Sequence, residues 1–364
     1  MKKINVGILF GGKSAEHEVS LQSAKNVFDA IDRSKYNPIL IGIDKSGRWL
    51  LKEGAEFLLN ADDPKRISLN PSSDAVVLAP QSGGRISNLT DRARERSIDV
   101  IFPILHGPFG EDGTVQGLLK LADIPFVGPG VLGSAVGMDK DVMKRLLRDA
   151  GIPIGRFLTL RSHEPALPFK KAVKALGLPL FVKPANMGSS VGITKVHKEG
   201  EYERALKNAF AYDTKIILEE FIKGREIECS ILGSEEVYAS LPGEVIPRHE
   251  FYSYESKYLD ENGAVLKIPA DLPRGTVKKI QALGIKTFRT LCCEGLSRVD
   301  FFLREDGTLF VNEINTMPGF TRISMYPKLW ELGGISYKKL IDTLIKLAIG
   351  RYKKEKKLKT SYIG

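Results

Sequence analysis

The chain has 364 residues, of which 43% are hydrophobic and 27% are charged, a balance typical of a globular protein with two or three domains. No apolar run approaches the roughly 20 residues of a membrane-spanning helix, and the first residues lack a signal-peptide pattern. We therefore expect a cytoplasmic protein that crosses no membrane. The net charge of +10 suits anionic partners, but the basic residues are scattered, which argues against nucleic acid.

The N-terminal segments predict a βαβ unit. A strand, a helix and a second strand are expected at residues 6–10, 19–31 and 39–43. Gly7 to Ser14 matches a phosphate-loop pattern, but the residues between its glycines belong inside a strand, so we reject that interpretation. Glu16 stands at the expected helix start, where the helix dipole favours a carboxylate. It could be a helix cap, or it could hold a substrate ammonium group.

The next segments return to the same sheet. Residues 62–96 are polar and predict an excursion on the surface. A buried strand at 99–105 then leads into a glycine-rich loop that begins at His106. Ligands of open α/β sheets bind at such strand ends, so His106 is either structural or part of a site. A helix at 114–121 and a strand at 125–128 complete the first domain.

The middle of the chain carries signals for anion binding. Residues 138–150 predict a basic helix, and the strand at 180–184 contains Lys183 and runs into a loop of small residues at 185–192. Such a loop can offer backbone N–H groups to phosphates, although spacer loops have a similar composition. The strands at 216–222 and 226–232 bring acidic residues that could accept hydrogen bonds from adenine and ribose, or could be exposed edge glutamates.

The segment from Arg298 to Gly319 predicts a β-hairpin around Asp306-Gly307, because a two-residue type I′ turn favours this pair. That turn would place three pairs of residues opposite each other across the ladder, namely Asp300 and Glu313, Arg298 and Asn315, and Phe302 and Val311. Strand side chains alternate between faces, so Arg298, Asp300, Glu313 and Asn315 would share one face.

Two carboxylates directly opposite each other repel unless a positive charge lies between them. Mg²⁺ is a natural candidate, since one or two carboxylates together with phosphate oxygens usually hold it, and Asn315 adds a neutral oxygen. The alternative is a surface hairpin whose charges face water. Before the hairpin, the polar connection at 243–269 predicts a functional lid, because loops of this length are usually lids or disordered, and its tyrosines argue against disorder. Helices are expected at 272–291 and 337–349.

Taken together, these motifs resemble the D-alanine–D-alanine ligases of the ATP-grasp superfamily. The resemblance extends over essentially the whole chain and rests on residues 11–20, 106–113, 138–140, 183–184, 188–192, 254–258, 298–300 and 312–319. It implies an N-terminal open parallel α/β domain followed by a two-part ATP-grasp fold. The implied ranges are 1–137 for the first domain, 138–215 for the central subdomain and 216–364 for the C-terminal subdomain with lid 243–269.

The resemblance also implies roles for individual residues. ATP would be bound by Lys140, Lys183, Glu219, Glu220, Ile222, Glu226 and Lys257, with Glu220 acting through its backbone. Two Mg²⁺ ions, for which Mn²⁺ can substitute, would be held by Asp300, Glu313 and Asn315. The two D-alanine molecules would be bound and activated by Glu16, His106, Ser189, Tyr258, Arg298, Gly319 and Ser324.

The implied reaction makes D-alanyl-D-alanine for peptidoglycan precursors. ATP phosphorylates the first D-alanine, and the amine of the second attacks the acylphosphate, with either Tyr258 or the departing phosphate taking its proton. The resemblance further implies a homodimer. The alternatives are a ligase that uses D-lactate or D-serine as the acceptor, and a non-catalytic ATP-binding protein of the same fold.

Overall fold

The computed structural model describes residues 2–51, 57–60, 63, 67–70, 74–89, 91, 95–247, 264–321 and 323–362. Strands and helices combine into open sheets in a mixed α/β architecture, which confirms the predicted fold class. Among these residues no helix is long and apolar enough to cross a membrane.

The N-terminal part is built on one large sheet. Its strands, in the order β8-β7-β6-β3-β2-β1-β9, pair in parallel only at β2-β1-β9. The strands of this part are β1 (Ile4–Gly11), β2 (Tyr36–Ile43), β3 (Trp49–Leu51), β4 (Leu58–Leu59), β5 (Ser68–Leu69), β6 (Asp74–Leu78), β7 (Arg85–Asn88), β8 (Glu95–Ser97) and β9 (Val100–Ile104). The helices are α1 (His17–Ala30), α2 (Thr114–Leu121) and α3 (Val131–Met138).

Two predictions for this part are wrong. The expected surface excursion at 62–96 contains β6 to β8, which extend the sheet as antiparallel strands. Val76, Leu78 and Ile86 are buried between more exposed neighbours. The strands are short and lie in a mostly polar segment, so the alternation did not reveal them. The strand expected at 125–128 is reduced to a single bridge between Ile101 and Phe126.

A second, antiparallel sheet follows in the order β10-β13-β11-β12. Its elements are α4 (Lys140–Asp149), β10 (Phe157–Arg161), α5 (Phe169–Leu176), β11 (Leu180–Pro184), β12 (Thr194–Val196), α6 (Glu199–Phe210) and β13 (Lys215–Glu220). The predicted boundary after residue 215 therefore falls inside β13. We propose that the central subdomain extends to Glu220.

The third sheet has the order β17-β16-β14-β18-β19, with β15 paired to β14. Its elements are β14 (Arg225–Gly233), β15 (Val237–Ala239), β16 (Gly243–Pro247), β17 (Ala264–Lys267), α7 (Arg274–Thr290), β18 (Gly295–Leu303), β19 (Leu309–Asn315), α8 (Met325–Leu332) and α9 (Tyr337–Glu355). The two ends of the predicted lid are thus paired strands, β16 and β17. Residues 248–263 of that lid lie outside the described residues.

The hairpin of β18 and β19 has the predicted functional pairs but not the predicted turn. Asp306 has no positive φ, whereas Gly307 has a φ of 82°. Arg304 N–H donates to the carbonyl of Thr308 at 3.0 Å, so the loop has three residues and ends in a left-handed glycine. Phe302 consequently faces Phe310, and the predicted Phe302–Val311 pair is wrong.

A β-bulge then restores the register. Asp300 pairs with Glu313, but Phe301 pairs with Val311, so Asn312 is an extra residue on β19. A bulge shifts every later side chain by one position. Arg298 and Asn315 therefore face each other as predicted, because the bulge compensates for the longer loop.

The long C-terminal helix α9 returns to the N-terminal sheet. Its buried residues Leu340, Ile341 and Leu344 share one hydrophobic core with Val6 and Phe102 of the first sheet. Burial of this apolar face stabilises the contact between the two ends of the chain. The first and third sheets are thereby held on either side of a common cavity.

Candidate active site

A central cavity of about 400 Å³ lies where the three parts of the chain meet. It collects side chains from the ends of β1 and β9, from the small-residue loop after β11, and from the strands of the third sheet. The predicted site residues on its wall are Glu16, His106, Ser189, Glu226, Arg298, Asp300, Glu313, Asn315, Gly319 and Ser324. Residues far apart in sequence thus share one wall.

Glu16 connects the N-terminal part to the small-residue loop. It occupies the cap position of α1, but its side chain makes no capping hydrogen bond. The Ser189 hydroxyl instead donates to Glu16 Oε1, and the Glu16 side chain is buried. Ser189 has a left-handed backbone with φ of 49°, a conformation that is strained for serine and is frequent at functional sites. The cap interpretation of Glu16 is therefore the weaker one.

His106 lies at the end of β9 and is buried. Its Nδ1 lies 3.1 Å from the carbonyl oxygen of Met317, and since a carbonyl only accepts, Nδ1 carries the proton. Burial lowers the pKa of His106, so the ring is neutral and Nε2 is an acceptor. Within the described residues this buried Nε2 has no hydrogen-bond partner. It is ready to accept from a donor such as a ligand N–H group.

Glu111 is a cavity residue that the sequence predictions missed. It is partly buried, and desolvation raises its pKa to about 8, with a further contribution from the negative charge of Glu16. It accepts hydrogen bonds from Gly107 N–H at 2.6 Å and from Met317 N–H at 3.2 Å. An acid in a glycine-rich loop at a strand end is the signal that could have revealed it.

The hairpin gathers acidic and basic groups on one face. Arg298 Nε and Nη2 each donate to one oxygen of Asp300 at 2.7 Å, in a bidentate pair. Asn315 Nδ2 donates to Asp300 Oδ2 at 2.9 Å, and Arg298 Nε also lies 3.0 Å from Glu228 Oε2. The guanidinium of Arg298 thus offsets the negative charges of Asp300 and Glu228.

Lys140, the first residue of α4, faces the other acid of the hairpin. Its Nζ lies 3.7 Å from Glu313 Oε2 and donates to the carbonyl of Met187 at 2.6 Å. Burial lowers the pKa of Lys140. Lys140 therefore ties the small-residue loop to the hairpin.

Glu219, near the end of β13, forms the centre of a buried ion cluster. Lys183 donates to Glu219 Oε2 at 2.5 Å, and Lys144 contacts Oε1. Burial alone would raise the pKa of Glu219, but the two lysines together lower it to about 2. Lys144 was not predicted, although it stands one helical turn after Lys140 on α4, which is a readable signal.

The remaining predicted residues lie in different settings. Glu220 is tied to Arg156 by hydrogen bonds of 2.7 Å to the Arg156 backbone N–H and to Nε, and Ile222 is buried. The Ser324 hydroxyl accepts from Thr321 N–H at 3.0 Å, and a Cβ on Gly319 would come within 2.9 Å of Ser324 Oγ. Lys257 and Tyr258 lie outside the described residues.

The hairpin face offers the oxygen atoms that Mg²⁺ prefers. Asp300 and Glu313 face each other on neighbouring strands, and Asn315 lies on the same edge. Across the part of the chain that the structure describes, no three His, Cys, Asp or Glu side chains converge as a metal site. Two carboxylates and an amide nonetheless fit an ion whose other ligands are phosphate oxygens and water.

Comparisons with known proteins identify the family. The model of the D-ala D-ala ligase N-terminus matches residues 5–129, and that of the D-ala D-ala ligase C-terminus matches residues 146–346. A D-alanine–D-alanine ligase of Shouchella clausii is 53% identical over 99% of both chains. D-alanine–D-alanine ligase A of Escherichia coli K12 is 51% identical over 99% of this chain and all of that one.

Solved structures agree with this result. The D-alanine–D-alanine ligase of Coxiella burnetii matches with a TM-score of 0.85 and 38% identity, covering 98% of this chain and 97% of that one. The VanG D-Ala:D-Ser ligase of Enterococcus faecalis matches with a TM-score of 0.84 and 37% identity, covering 95% of this chain and all of that one. This chain belongs to the D-alanine–D-alanine ligase family.

Proposed function

We propose that this protein joins two D-alanine molecules into D-alanyl-D-alanine at the expense of ATP, for peptidoglycan precursor synthesis. The observation that carries the proposal is the single cavity with Glu16 and Ser189 at one place on its wall and the hairpin acids at another. An ammonium-binding carboxylate and a phosphoryl-transfer site must adjoin in an enzyme that activates an amino acid. We place the reaction in the cytoplasm of the cell and expect a homodimer.

The nucleotide would be bound between the second and third sheets. Lys140, Lys183 and Lys257 neutralise its phosphates, and Glu226 binds the ribose. Glu219 holds two lysines, but each of its oxygens has two lone pairs, so it can still accept from the adenine amine. The Glu220 side chain is tied to Arg156, which supports a contact to adenine through the Glu220 backbone, with buried Ile222 beside it.

Asp300, Glu313 and Asn315 would hold two Mg²⁺ ions, for which Mn²⁺ can substitute. Bound there, the ions offset the negative charge on the transferring phosphoryl group. The two carboxylates come from neighbouring strands with a fixed register, so the backbone positions of both ligands are set before an ion binds.

The first D-alanine would lie beside Glu16. The Glu16 carboxylate binds its ammonium group, and Ser189 with Tyr258 connects this contact to the lid. Nε2 of His106, a buried acceptor, lines the same pocket and can receive an N–H of the substrate. These contacts place the substrate carboxylate toward the phosphates, where it is phosphorylated.

The second D-alanine would then attack the acylphosphate through its amine. Arg298 and the backbone N–H of Gly319 stabilise the oxyanion of the tetrahedral intermediate, and the Ser324 hydroxyl donates to the substrate carboxylate. Acylphosphates hydrolyse readily, so the lid at 243–269 must exclude water. Tyr258 or the departing phosphate accepts the amine proton.

The test is an assay of ADP release with Mg-ATP and D-alanine, combined with identification of the product by mass spectrometry. We expect ADP and D-alanyl-D-alanine in equal amounts, and no turnover with L-alanine. ADP release at the background rate would contradict the proposal and favour a non-catalytic ATP-binding protein.

A second candidate is a ligase that uses D-serine as the acceptor, because the similarity to VanG shows that the fold serves this acceptor too. Competition between D-alanine, D-serine and D-lactate in the same assay separates the candidates. If the main product near neutral pH joined D-alanine to D-serine or D-lactate, that molecule would replace D-alanine as the preferred acceptor.

A further inference from the structure

Three acidic side chains stand in a row across neighbouring strands of the third sheet. Glu228 on β14 pairs with Asp300 on β18, and Asp300 pairs with Glu313 on β19. All three line the central cavity. Like charges directly opposite each other on neighbouring strands destabilise a sheet, so this row needs positive charge beside it.

Arg298 supplies that charge to two members of the row. It stands two residues before Asp300 on the same face of β18, opposite Ser230 and Asn315, and its guanidinium turns back toward the acids. Both oxygens of Asp300 receive hydrogen bonds of 2.7 Å from it, and Glu228 Oε2 lies 3.0 Å from the same Nε. One guanidinium therefore bridges two carboxylates.

This arrangement conflicts with the proposed reaction unless Arg298 has a second anchor. The reaction needs Asp300 for metal ions and Arg298 for the oxyanion, whereas here the two are joined by a bidentate pair. Bidentate pairs between arginine and carboxylate are among the stronger side-chain hydrogen bonds. The pair must loosen when Asp300 binds a metal, and a guanidinium beside a cation then needs a remaining negative partner.

We propose that Glu228 is a positioning residue that retains Arg298 when Asp300 becomes a metal ligand. This inference rests on the proposed function, and it assigns to Glu228 a role that the predicted ATP, metal and substrate residues do not cover. Glu228 holds the guanidinium near the place where the oxyanion forms. It also lowers the free-energy cost of exchanging Arg298 for a metal ion at Asp300.

The expected consequence of Glu228→Gln is competition between Arg298 and the metal for Asp300. A neutral amide is a weaker acceptor for a guanidinium than a carboxylate. Loss of a group that orients a metal ligand typically reduces metal affinity by about 10- to 100-fold, and we expect about tenfold here. Glu228→Asp keeps the charge, so we expect it to recover most of the affinity.

The test is a double-mutant cycle that measures Mn²⁺ affinity in the presence of ADP by electron paramagnetic resonance. It compares the wild type, Glu228→Gln, Arg298→Met and the double variant. If Glu228 acts through Arg298, its substitution lowers affinity about tenfold in the wild type but less than about twofold in the Arg298→Met background. An equal loss in both backgrounds, or no loss in the wild type, would overturn the proposal.

Glu294→Gln is the control. It removes a glutamate that pairs with Arg351 at 3.2 Å next to the start of β18, outside the lid and the cavity wall, and it should leave Mn²⁺ affinity unchanged. Thermal unfolding of every variant shows whether the fold is kept, and Glu228→Asp provides the comparison if Glu228→Gln unfolds. The ligation assay of the wild type separately tests the proposed function, so a failure there is distinguishable from a failure of the cycle.

Discussion

Two clusters of charged residues in this protein have opposite ratios of acidic groups to hydrogen-bond donors. At the cavity, Glu228 and Asp300 share the guanidinium of Arg298. At the contact between α9 and the first sheet, the single carboxylate of Asp342 receives Lys35 at 3.0 Å, Tyr36 at 2.9 Å and Lys346 at 2.9 Å. A carboxylate surrounded by several hydrogen-bond donors stabilises a fold. Several carboxylates that share one donor group destabilise it until a cation binds.

The difference shows that charges for function and charges for stability lie in different parts of the molecule. Excess negative charge at a cavity is a common property of sites that bind cations and is maintained against stability. Asp342 has a structural role instead, because its hydrogen-bond partners join the C-terminal helix to the N-terminal sheet. Removing an acid at the cavity should therefore impair turnover and change stability little. Removing Asp342 should lower stability and leave turnover unchanged.

The largest effect is expected at the cavity. Asp300→Asn or Glu313→Gln should reduce the rate of ADP release by about three orders of magnitude or more, because the variant lacks a proposed metal ligand at the place where charge would develop. The free energy of unfolding should change by less than about 2 kcal/mol, since a repulsion is removed together with the hydrogen bonds. A near-normal rate in either variant would remove these residues from the metal site.

The next effect concerns the buried cluster around Glu219. Lys144→Met leaves this carboxylate with Lys183 as its remaining described lysine partner, in a place where the Lys144 side chain is 1% exposed. Loss of one partner of a buried pair should lower the free energy of unfolding by about 3 kcal/mol. The control is Lys346→Met, where the lysine is 60% exposed and the loss should stay below about 1 kcal/mol. Equal losses in urea denaturation would contradict the distinction.

Asp342→Asn should destabilise the protein by about 2 kcal/mol and leave turnover unchanged. Burial tends to raise the pKa of Asp342, but Lys346, Lys35 and Tyr36 together lower it from 3.8 to about 2. A lowered folded-state pKa means that its stabilisation is complete above pH 3.8 and is lost as the pH falls toward 2. The variant should therefore lose less stability than the wild type in that interval, as measured by denaturation at several pH values. If the stability of the variant and that of the wild type changed with pH in parallel, this role of Asp342 would be excluded.

Tyr36→Phe should have a smaller effect than Asp342→Asn. It removes one hydrogen bond of 2.9 Å to Asp342, while the lysines remain. We expect a loss of about 1 kcal/mol in the free energy of unfolding and unchanged ADP release. A loss larger than that of Asp342→Asn would show that the Tyr36 hydroxyl stabilises the fold by more than its hydrogen bond to this carboxylate.

The sequence predicted the functional pairs of the hairpin by a partly incorrect route. Asp306-Gly307 suggested a two-residue turn, but a three-residue loop with left-handed Gly307 forms instead. The bulge at Asn312 shifts the register by one residue and brings Asp300 opposite Glu313. A bulge depends on the tertiary surroundings, so local patterns do not reveal it.

Other parts of the site needed the tertiary structure. Glu111, Lys144 and Glu228 obtain their importance from partners on other elements, such as Glu16, Glu219 and Arg298. Patterns along one strand or helix predict which face a residue occupies, but not which distant charge it meets. The alternation of Glu226 and Glu228 on β14 was visible, yet the pairing of β14 with β18 was not.

An anomalous difference map from crystals grown with ADP and Mn²⁺ tests the proposed metal site most directly. We expect Mn²⁺ peaks at the hairpin edge, at about 2.0–2.3 Å from oxygen atoms of Asp300, Glu313 and Asn315. We also expect the bidentate contact of Arg298 with Asp300 to be replaced by one with Glu228. Mn²⁺ bound elsewhere, with Arg298 still paired to Asp300, would contradict the proposal.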